Sequence, residues 1–511
     1  MSTASTGGTE AAPAEGPARP QSGGASAGTS LEGSIDAVTR RFSRGSLVYG
    51  LGTSLQRGIG LLLVPIYARY LSPAELGVVG IVLAVFSGFT VIFGLGLRGA
   101  VTRQYFDHVE DPRQLREYLG SVYAFFLLFG AAGAGFLTIF GRGFFQTILA
   151  QVPFQPFVPL ALWAAFFAAS SGILLSLYRA REQAGRFVVV EIVSAAALAV
   201  LVVYLVAIRG GGAVGQAYAL FWASVLTFAL TLVLLAREAR PYFNPAMIRS
   251  AVSFGAPLTL HLLASWALLA ADRILLERTV PLSEVGLYTL GYQLAMVAGI
   301  VASASNAAWT PIFYDIAPRG QDSGRVLGRL ATVNIALGFG ASLLVILYGR
   351  EAVALIAGPE YASAATVVPV IALGYAFQSL YFVSVTPIFF TRKTRVLPLL
   401  TGAAAALNVA LNLVLIPPYG MIGAAWATVA AFAFLFVATF LAARTQFAVM
   451  YETPTIALLG ALIAAGAFLA WWTADLSLLA ATPLKLLLVA GFVAACARAR
   501  LLSRLRGTAD S

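Results

Sequence analysis

The chain is short of charge, lysine, histidine and cysteine. Asp, Glu, Lys and Arg make up 11% of its 511 residues, against roughly 25% in soluble domains. That shortage excludes an ordinary soluble enzyme. One cysteine, Cys496, excludes a disulfide framework and a cysteine-based metal site. Lys393 and Lys485 are the only lysines, and neither follows the glycine spacing of a phosphate-cradling ATPase loop. His108 and His261 are the only histidines, so no H-E-x-x-H zinc motif exists. No loop between apolar runs exceeds roughly 20 residues, which leaves no room for a soluble catalytic domain. The chain is therefore expected not to be an enzyme and to carry no resident cofactor. The net charge of +11 is spread between apolar runs rather than gathered in one patch, which argues against a nucleic-acid partner.

What the chain has in plenty is apolar surface: 59% of its residues are hydrophobic, and the mean hydropathy is +0.85. Fourteen apolar spans can be counted, at about 46–70, 75–99, 118–140, 155–177, 186–208, 213–236, 251–274, 285–309, 327–348, 363–390, 396–416, 421–443, 455–473 and 483–502. Each is long enough to cross a hydrocarbon core of ~30 Å as a helix. Strands of a membrane barrel would be only ~10 residues long, so helices are the choice. The expected fold is an all-α polytopic membrane protein.

Residues 1–30 are expected to be a disordered tail, because Ala, Gly, Ser, Thr and Pro fill 25 of the 30 positions. The tail also lacks the apolar centre of a signal peptide. In residues 31–44, Leu31, Ile35, Val38 and Phe42 fall at helical spacing beside Arg40, Arg41 and Arg44. That pattern fits a short interfacial helix, or equally a linker. With the N-terminus in the cytoplasm, 25 of the 33 basic residues lie on the cytoplasmic side and seven outside, with Arg57 inside the first span. The bias predicts that both termini are cytoplasmic.

The sequence also repeats itself at a shift of about 208 residues. Glu75-Leu76-Gly77 is answered by Glu284-Val285-Gly286, and Tyr105-Phe106-Asp107 by Phe313-Tyr314-Asp315. Leu119-Gly120 is answered by Leu327-Gly328, Arg186 by Arg395, and the run from Gly215 by the run from Gly423. The shift equals six spans, so the copies share one orientation, a known transporter plan. This predicts two pseudo-symmetric six-helix bundles, 45–249 and 250–450, with two more helices in 451–511.

Ionisable groups at membrane depth are costly, about 2.5–3.5 kcal/mol each on insertion scales, and normally face a cavity or a partner. Arg57 lies in the middle of the first span, and His261 lies at the matching depth of the seventh. Each is followed twelve residues later by an arginine, Arg69 and Arg273. Facing each other across a bundle interface, Arg57 and His261 would bind an anion; the plainer alternative is a neutralised arginine and a core histidine. Asp272 shares a helical face with His261 and stands next to Arg273, as a structural pair or as a gate. Arg98 answers Asn306 in the repeat; the two line a cytoplasmic mouth, or Arg98 snorkels to the headgroups. Glu191 is a candidate for ion coupling by a proton or sodium, or else pairs with Arg186 or Arg181. Asn334, Gln378, Asn408 and Asn412 are expected to bind helices together. Pro65, Pro257, Pro369 and Pro387 interrupt backbone bonding, and kinked helices suit alternating access.

Three stretches carry a family resemblance. Leu63-Val-Pro-Ile-Tyr-Ala-Arg-Tyr-Leu-Ser-Pro-Ala-Glu-Leu-Gly77 resembles the first helix and loop of bacterial polysaccharide flippases of the O-antigen and exopolysaccharide type. Ala271-Asp-Arg-Ile-Leu275 followed by Val285-Gly-Leu-Tyr288 resembles the start of their second half, and Pro417-Pro-Tyr-Gly-Met-Ile-Gly-Ala-Ala-Trp-Ala-Thr428 resembles a corner late in it. The likeness covers about residues 42–500 and places the chain in the multidrug, oligosaccharidyl-lipid and polysaccharide exporter superfamily. It implies a bacterial inner-membrane flippase for an undecaprenyl-pyrophosphate-linked glycan, with Arg57 at the pyrophosphate. It further implies ion coupling, membrane lipids as partners, and a polysaccharide polymerase and chain-length regulator nearby. The rivals are a lipid II flippase, a cation-coupled multidrug exporter, and a polymerase or ligase. Several deep basic residues in the first two spans would favour the first rival, and acidic cavity residues the second.

Overall fold

The computed structural model describes residues 58, 60–108, 111–319, 323–473, 476 and 478–499. The tail, the candidate interfacial helix and Arg57 lie outside the described residues. The elements within them are helical: α1 (Val64–Tyr70), α2 (Pro73–Gly94), α3 (Leu97–Asp107), α4 (Pro112–Phe140), α5 (Arg142–Ile148), α6 (Phe157–Ala180), α7 (Ala184–Val202), α8 (Gly212–Leu235) and α9 (Pro245–Glu277). They continue with α10 (Leu282–Ile316), α11 (Ser323–Ile356), α12 (Val367–Phe390), α13 (Leu397–Arg444), α14 (Thr453–Trp472) and α15 (Leu478–Arg498). Twelve stretches among the described residues are long and apolar enough to cross a membrane. One of them holds two helices, because α13 is broken at Gly420 (φ 54°, ψ −134°) between the expected eleventh and twelfth spans. Large apolar side chains such as Phe136, Ile139 and Val200 are more than 60% exposed, as lipid contact requires.

Several helices start by the same local rule, a polar cap followed by proline, whose missing N–H is no loss in a first turn. Ser72 and Glu75 form a capping box before α2, with Ser72 N–H donating to Glu75 Oε2 at 2.9 Å. Asp111 caps α4, accepting from Arg113 and Gln114 N–H at 3.1 and 3.0 Å. Asn244 caps α9, accepting from Ala246 N–H at 2.9 Å.

The sequence repeat reappears as matched contacts. Gly212 and Gly420 both turn a corner at positive φ, 55° and 54°. A Cβ built on either would lie within 2.1 Å of Glu75 Oε1 or Glu284 Oε1 respectively. Only glycine serves there, because it tolerates the left-handed backbone and leaves space for the carboxylate. Glu284 Oε1 accepts Met421 N–H at 2.8 Å, at the start of the second helix of α13. At the opposite end, Arg240 N–H donates to Arg116 O and Met450 N–H to Gly324 O, both at 3.0 Å. In each copy the chain leaving the sixth helix is thus pinned to the third.

The two copies cross where α2 meets α10. Gly77 and Gly286 allow near backbone contact there, since a Cβ on Gly77 would reach Leu282 O at 2.0 Å and one on Gly286 would reach Pro73 O at 1.8 Å. One continuous hydrophobic core runs through both copies at this end, joining Leu76, Val79 and Leu162 with Val285, Tyr288 and Leu290. Toward the other end the first copy has a core of its own, around Leu97, Leu119, Phe166 and Leu177. The molecule is therefore sealed by one continuous core at the end where α2 and α10 begin, whereas its core is divided at the end where α2 stops, where among the described residues α9 alone packs on the first copy through Gly255 and Ala251. The hairpin of α14 and α15 is fastened to α11. Arg350 donates to Thr473 O at 3.1 Å and to Leu476 O at 2.8 Å, and Lys485 pairs with Glu351.

Candidate functional site

The second transmembrane segment is not one straight helix. Leu95 (φ 40°) and Gly96 (φ 62°) take left-handed conformations and separate α2 from α3. Leu95 has no glycine freedom, so neighbouring contacts must hold it there. A Cβ on Gly96 would stand 2.2 Å from Gly255 O, so the break lies directly against α9, two residues before its internal Pro257. Broken helices inside membrane transporters expose backbone groups where they border a cavity.

Arg98 stands in the first turn of α3, just after this break. Leu97, Ala100 and Val101 beside it are buried, yet Arg98 is exposed. Its guanidinium lies across Gly172 of α6, where a Cβ would come within 1.9 Å of Nε. Any larger residue at 172 would displace it. Glu191 of α7, 5% exposed, lies in the electrostatic field of Arg98 and of Arg179. Arg179 rests on the Phe187 ring at 5.1 Å. The first copy thus sets two cations, both accessible, within electrostatic reach of one buried carboxylate. That composition suits an anion that competes with Glu191.

The alternative of Glu191 pairing with Arg186 or Arg181 is overturned. Both arginines turn to Glu238 instead: Arg186 is 3.5 Å from it and Arg181 pairs with it more closely. The reason is register, since Glu238 follows α8 at the level of the turn carrying Arg181, whereas Glu191 lies about two helical turns into α7.

In the second copy the charges are closed off. Asp272 is 1% exposed and its Oδ1 accepts Arg273 N–H at 2.8 Å and Arg273 Nη1 at 3.2 Å. Tyr288 donates its hydroxyl to the other oxygen. Arg273 also donates to Leu269 O at 3.0 Å and sits 4.4 Å over the Tyr292 ring. The two charges are therefore paired with each other within the second copy.

His261 and Asn306 are half-buried, and each carries an atom without a hydrogen-bond partner among the described residues, Nδ1 and Oδ1. No hydrogen bond joins Arg98 to Asn306 among those residues; Asn306 lies instead beside Ser305, whose carbonyl accepts from Asn334 at 3.0 Å. The sequence-derived candidates thus resolve into a coupled group (Arg98, Glu191), a closed pair (Asp272, Arg273) and two separate polar residues.

One group escaped the sequence reading altogether. Glu277, at the end of α9 and fully buried, accepts backbone N–H groups of Ala150 and Val152 at 2.9 Å each, and of Gln151 between them. Gln151 returns its amide to Glu277 O and to Val280 O, the latter at 2.8 Å, and Arg278 donates to Thr147 O. This latch ties the first copy to the second at the sealed end. Its donors are mostly backbone groups of a distant loop, so no residue pattern announces it.

Comparison with known proteins agrees with this architecture. The family model described as "Polysaccharide biosynthesis protein" matches residues 42–317, more than half of the chain. An "Uncharacterized membrane protein" of Haemophilus influenzae is 21% identical over 356 residues, covering 68% of this chain and 84% of that protein. The solved structure "Lipid II flippase MurJ, inward closed conformation" superposes with a TM-score of 0.71 at 12% identity, covering 88% of this chain and 98% of that one. An inward-facing multidrug resistance MATE family transporter of the MOP superfamily gives 0.60 at 14% identity, covering 79% and 95%. The fold is the one those transporters share.

Proposed function

This chain belongs to the polysaccharide biosynthesis protein family, and from that premise we propose that it is a flippase for an undecaprenyl-diphosphate-linked oligosaccharide. The observation that carries the reading is Arg98: an accessible guanidinium at a broken helix, on the divided side of a two-bundle fold. A diphosphate cannot cross hydrocarbon with its charge uncompensated. Arg98 and Arg179 supply the compensation, and Arg57 is a further candidate contact. In the resting state Glu191 balances the cations; the diphosphate displaces that balance on binding. The polyprenyl tail stays in the bilayer throughout, and the protein performs no covalent chemistry.

Alternating access follows from the division of the molecule. Release of the Glu277 latch would open the sealed end while the other end closes. The membrane is the bacterial inner membrane, with both termini cytoplasmic and the divided end facing the cytoplasm. Proton or sodium coupling is assigned to Glu191 for testing. A polysaccharide polymerase and a chain-length regulator are the expected partners on the outer side.

The test is a proteoliposome assay with a fluorophore-bearing undecaprenyl-diphosphate oligosaccharide, read by reduction of the fluorophore from outside. The wild-type protein is expected to move it, and Arg98→Ala to slow transfer about 10- to 100-fold, the worth of about 1.5–3 kcal/mol for a charged hydrogen bond. Transfer at the wild-type rate by Arg98→Ala would remove Arg98 from the site. No transfer by the wild-type protein would remove the substrate class.

A further inference from the structure

Beyond the charged group, the divided end of the first copy holds an open pocket of about 300 Å³ between α3, α4 and α9. Its lining among the described residues includes Gln104, His108, Gln114, Tyr118, Asn244 and Ser250, and those residues contribute no Asp, Glu, Lys or Arg. This is unexpected for its position. The same segments carry Arg103, Asp107, Arg113, Arg116, Glu117 and Arg249, so the described lining is an uncharged patch within a densely charged rim.

Its polar groups are held in place but left with spare bonding capacity. Gln104 Nε2 donates to His108 Nδ1 at 2.6 Å, which orients both side chains, and Gln104 Oε1 has no partner among the described residues. Asn244 uses Oδ1 as the α9 cap, so its Nδ2 group points away from the helix start. The side-chain amide of Gln114 and the hydroxyls of Tyr118 and Ser250 have no partner among the described residues. Tyr118 is 3% exposed and offers a fixed ring as one wall. Amides and hydroxyls that both donate and accept, beside an aromatic ring and without charge, match the hydroxyl groups of a neutral sugar. The volume stands at the lower limit of small-ligand sites, about 300–1,000 Å³.

We infer that this pocket is a saccharide subsite that recognises a neutral sugar unit of the transported glycan on the loading side. The inference rests on the proposed function for its substrate class. Gln104 in α3 and His108 at its C-cap lie six and ten residues beyond Arg98, about 9 to 15 Å further along the axis and about 80° to 120° around it. The diphosphate at Arg98 and a sugar in the pocket would thus be engaged together. Helix α3 then sets the distance between the charged and the neutral parts of one ligand.

The test uses the full-length protein in nanodiscs and four free sugars, D-glucose, D-galactose, N-acetyl-D-glucosamine and L-rhamnose, observed one at a time by saturation-transfer NMR. At least one is expected to receive saturation. Ala246→Trp, which fills the pocket from its α9 side, should abolish that signal, and Gln114→Ala, at an exposed position, should weaken the affinity about fivefold. Binding of undecaprenyl diphosphate without sugar is measured in parallel. It should survive Ala246→Trp and fall in Arg98→Ala, while the sugar signal survives Arg98→Ala. If no sugar gives a signal, or if the signal is the same in Ala246→Trp and Gln114→Ala, the subsite is wrong whatever becomes of the flippase reading. If sugar binding follows the expectation but diphosphate binding is absent from the wild-type protein, the subsite stands and the diphosphate reading falls.

Discussion

In the first half of the chain, Arg98 reaches open space with Arg179 and Glu191 in its field. In the second half, Asp272 and Arg273 cancel each other among Tyr288 and Tyr292. The two halves descend from one repeat and share their helix corners, yet one keeps its charge available and the other encloses it. A buried pair that satisfies all its bonds holds structure; a cation with an accessible face can exchange partners. The proposed function therefore assigns ligand contact to the first half, with the second half as its counterpart.

That contrast can be broken experimentally. Asp272→Ala should cost the most, about 3–5 kcal/mol, because it leaves Arg273 buried without its counter-ion. Thermal unfolding in detergent would read this as a large loss of stability, and the double change Asp272→Leu with Arg273→Met should recover most of it. Recovery of fold without recovery of transport would move the second-half pair into the working site. Arg98→Ala should show the reverse, with unfolding nearly unchanged and transport down about 10- to 100-fold. If its main effect is on stability, the proposed division of labour between halves is lost.

Glu277→Gln should have an intermediate effect. It keeps the side-chain size but withdraws the charge from three N–H donors, a loss of about 1–3 kcal/mol from the sealed state. A cysteine at Thr289, placed where α2 and α10 cross, in a Cys496→Ser background should then react several-fold faster with an impermeant maleimide. An unchanged rate would mean that the glycine crossing alone keeps this end shut. Glu191→Gln should have the smallest effect. Removing the competing carboxylate is expected to tighten undecaprenyl diphosphate binding about threefold, roughly 0.6 kcal/mol, at low salt. Weaker binding would show that Glu191 orients the arginines rather than competing for them.

Within the described residues, the helices, their approximate limits and the internal repeat were legible because apolar length and recurring motifs are local properties of a chain. The Glu75 and Glu284 motifs were visible as recurrences, but their role at the Gly212 and Gly420 corners needed the fold. The break at Leu95–Gly96 was hidden inside a continuous apolar run, and a leucine at positive φ has no sequence signature. Glu191 was singled out correctly as a buried carboxylate but given the wrong neighbours, since pairing across helices depends on register. Asp272 and Arg273 were legible as a pair because they are adjacent. Glu277 was invisible, as its partners are chiefly peptide N–H groups carried by every residue but proline.

The fastening of the last two helices has one more consequence. Arg350, Glu351 and Lys485 rivet that hairpin to a single arm of the molecule, so under the proposed alternating access it would swing as cargo of the second half. The lone thiol, on Cys496 in α15, rides with it. A spectroscopic tag on that atom, paired with one on the first arm, would clock each stroke without touching any residue that meets the ligand.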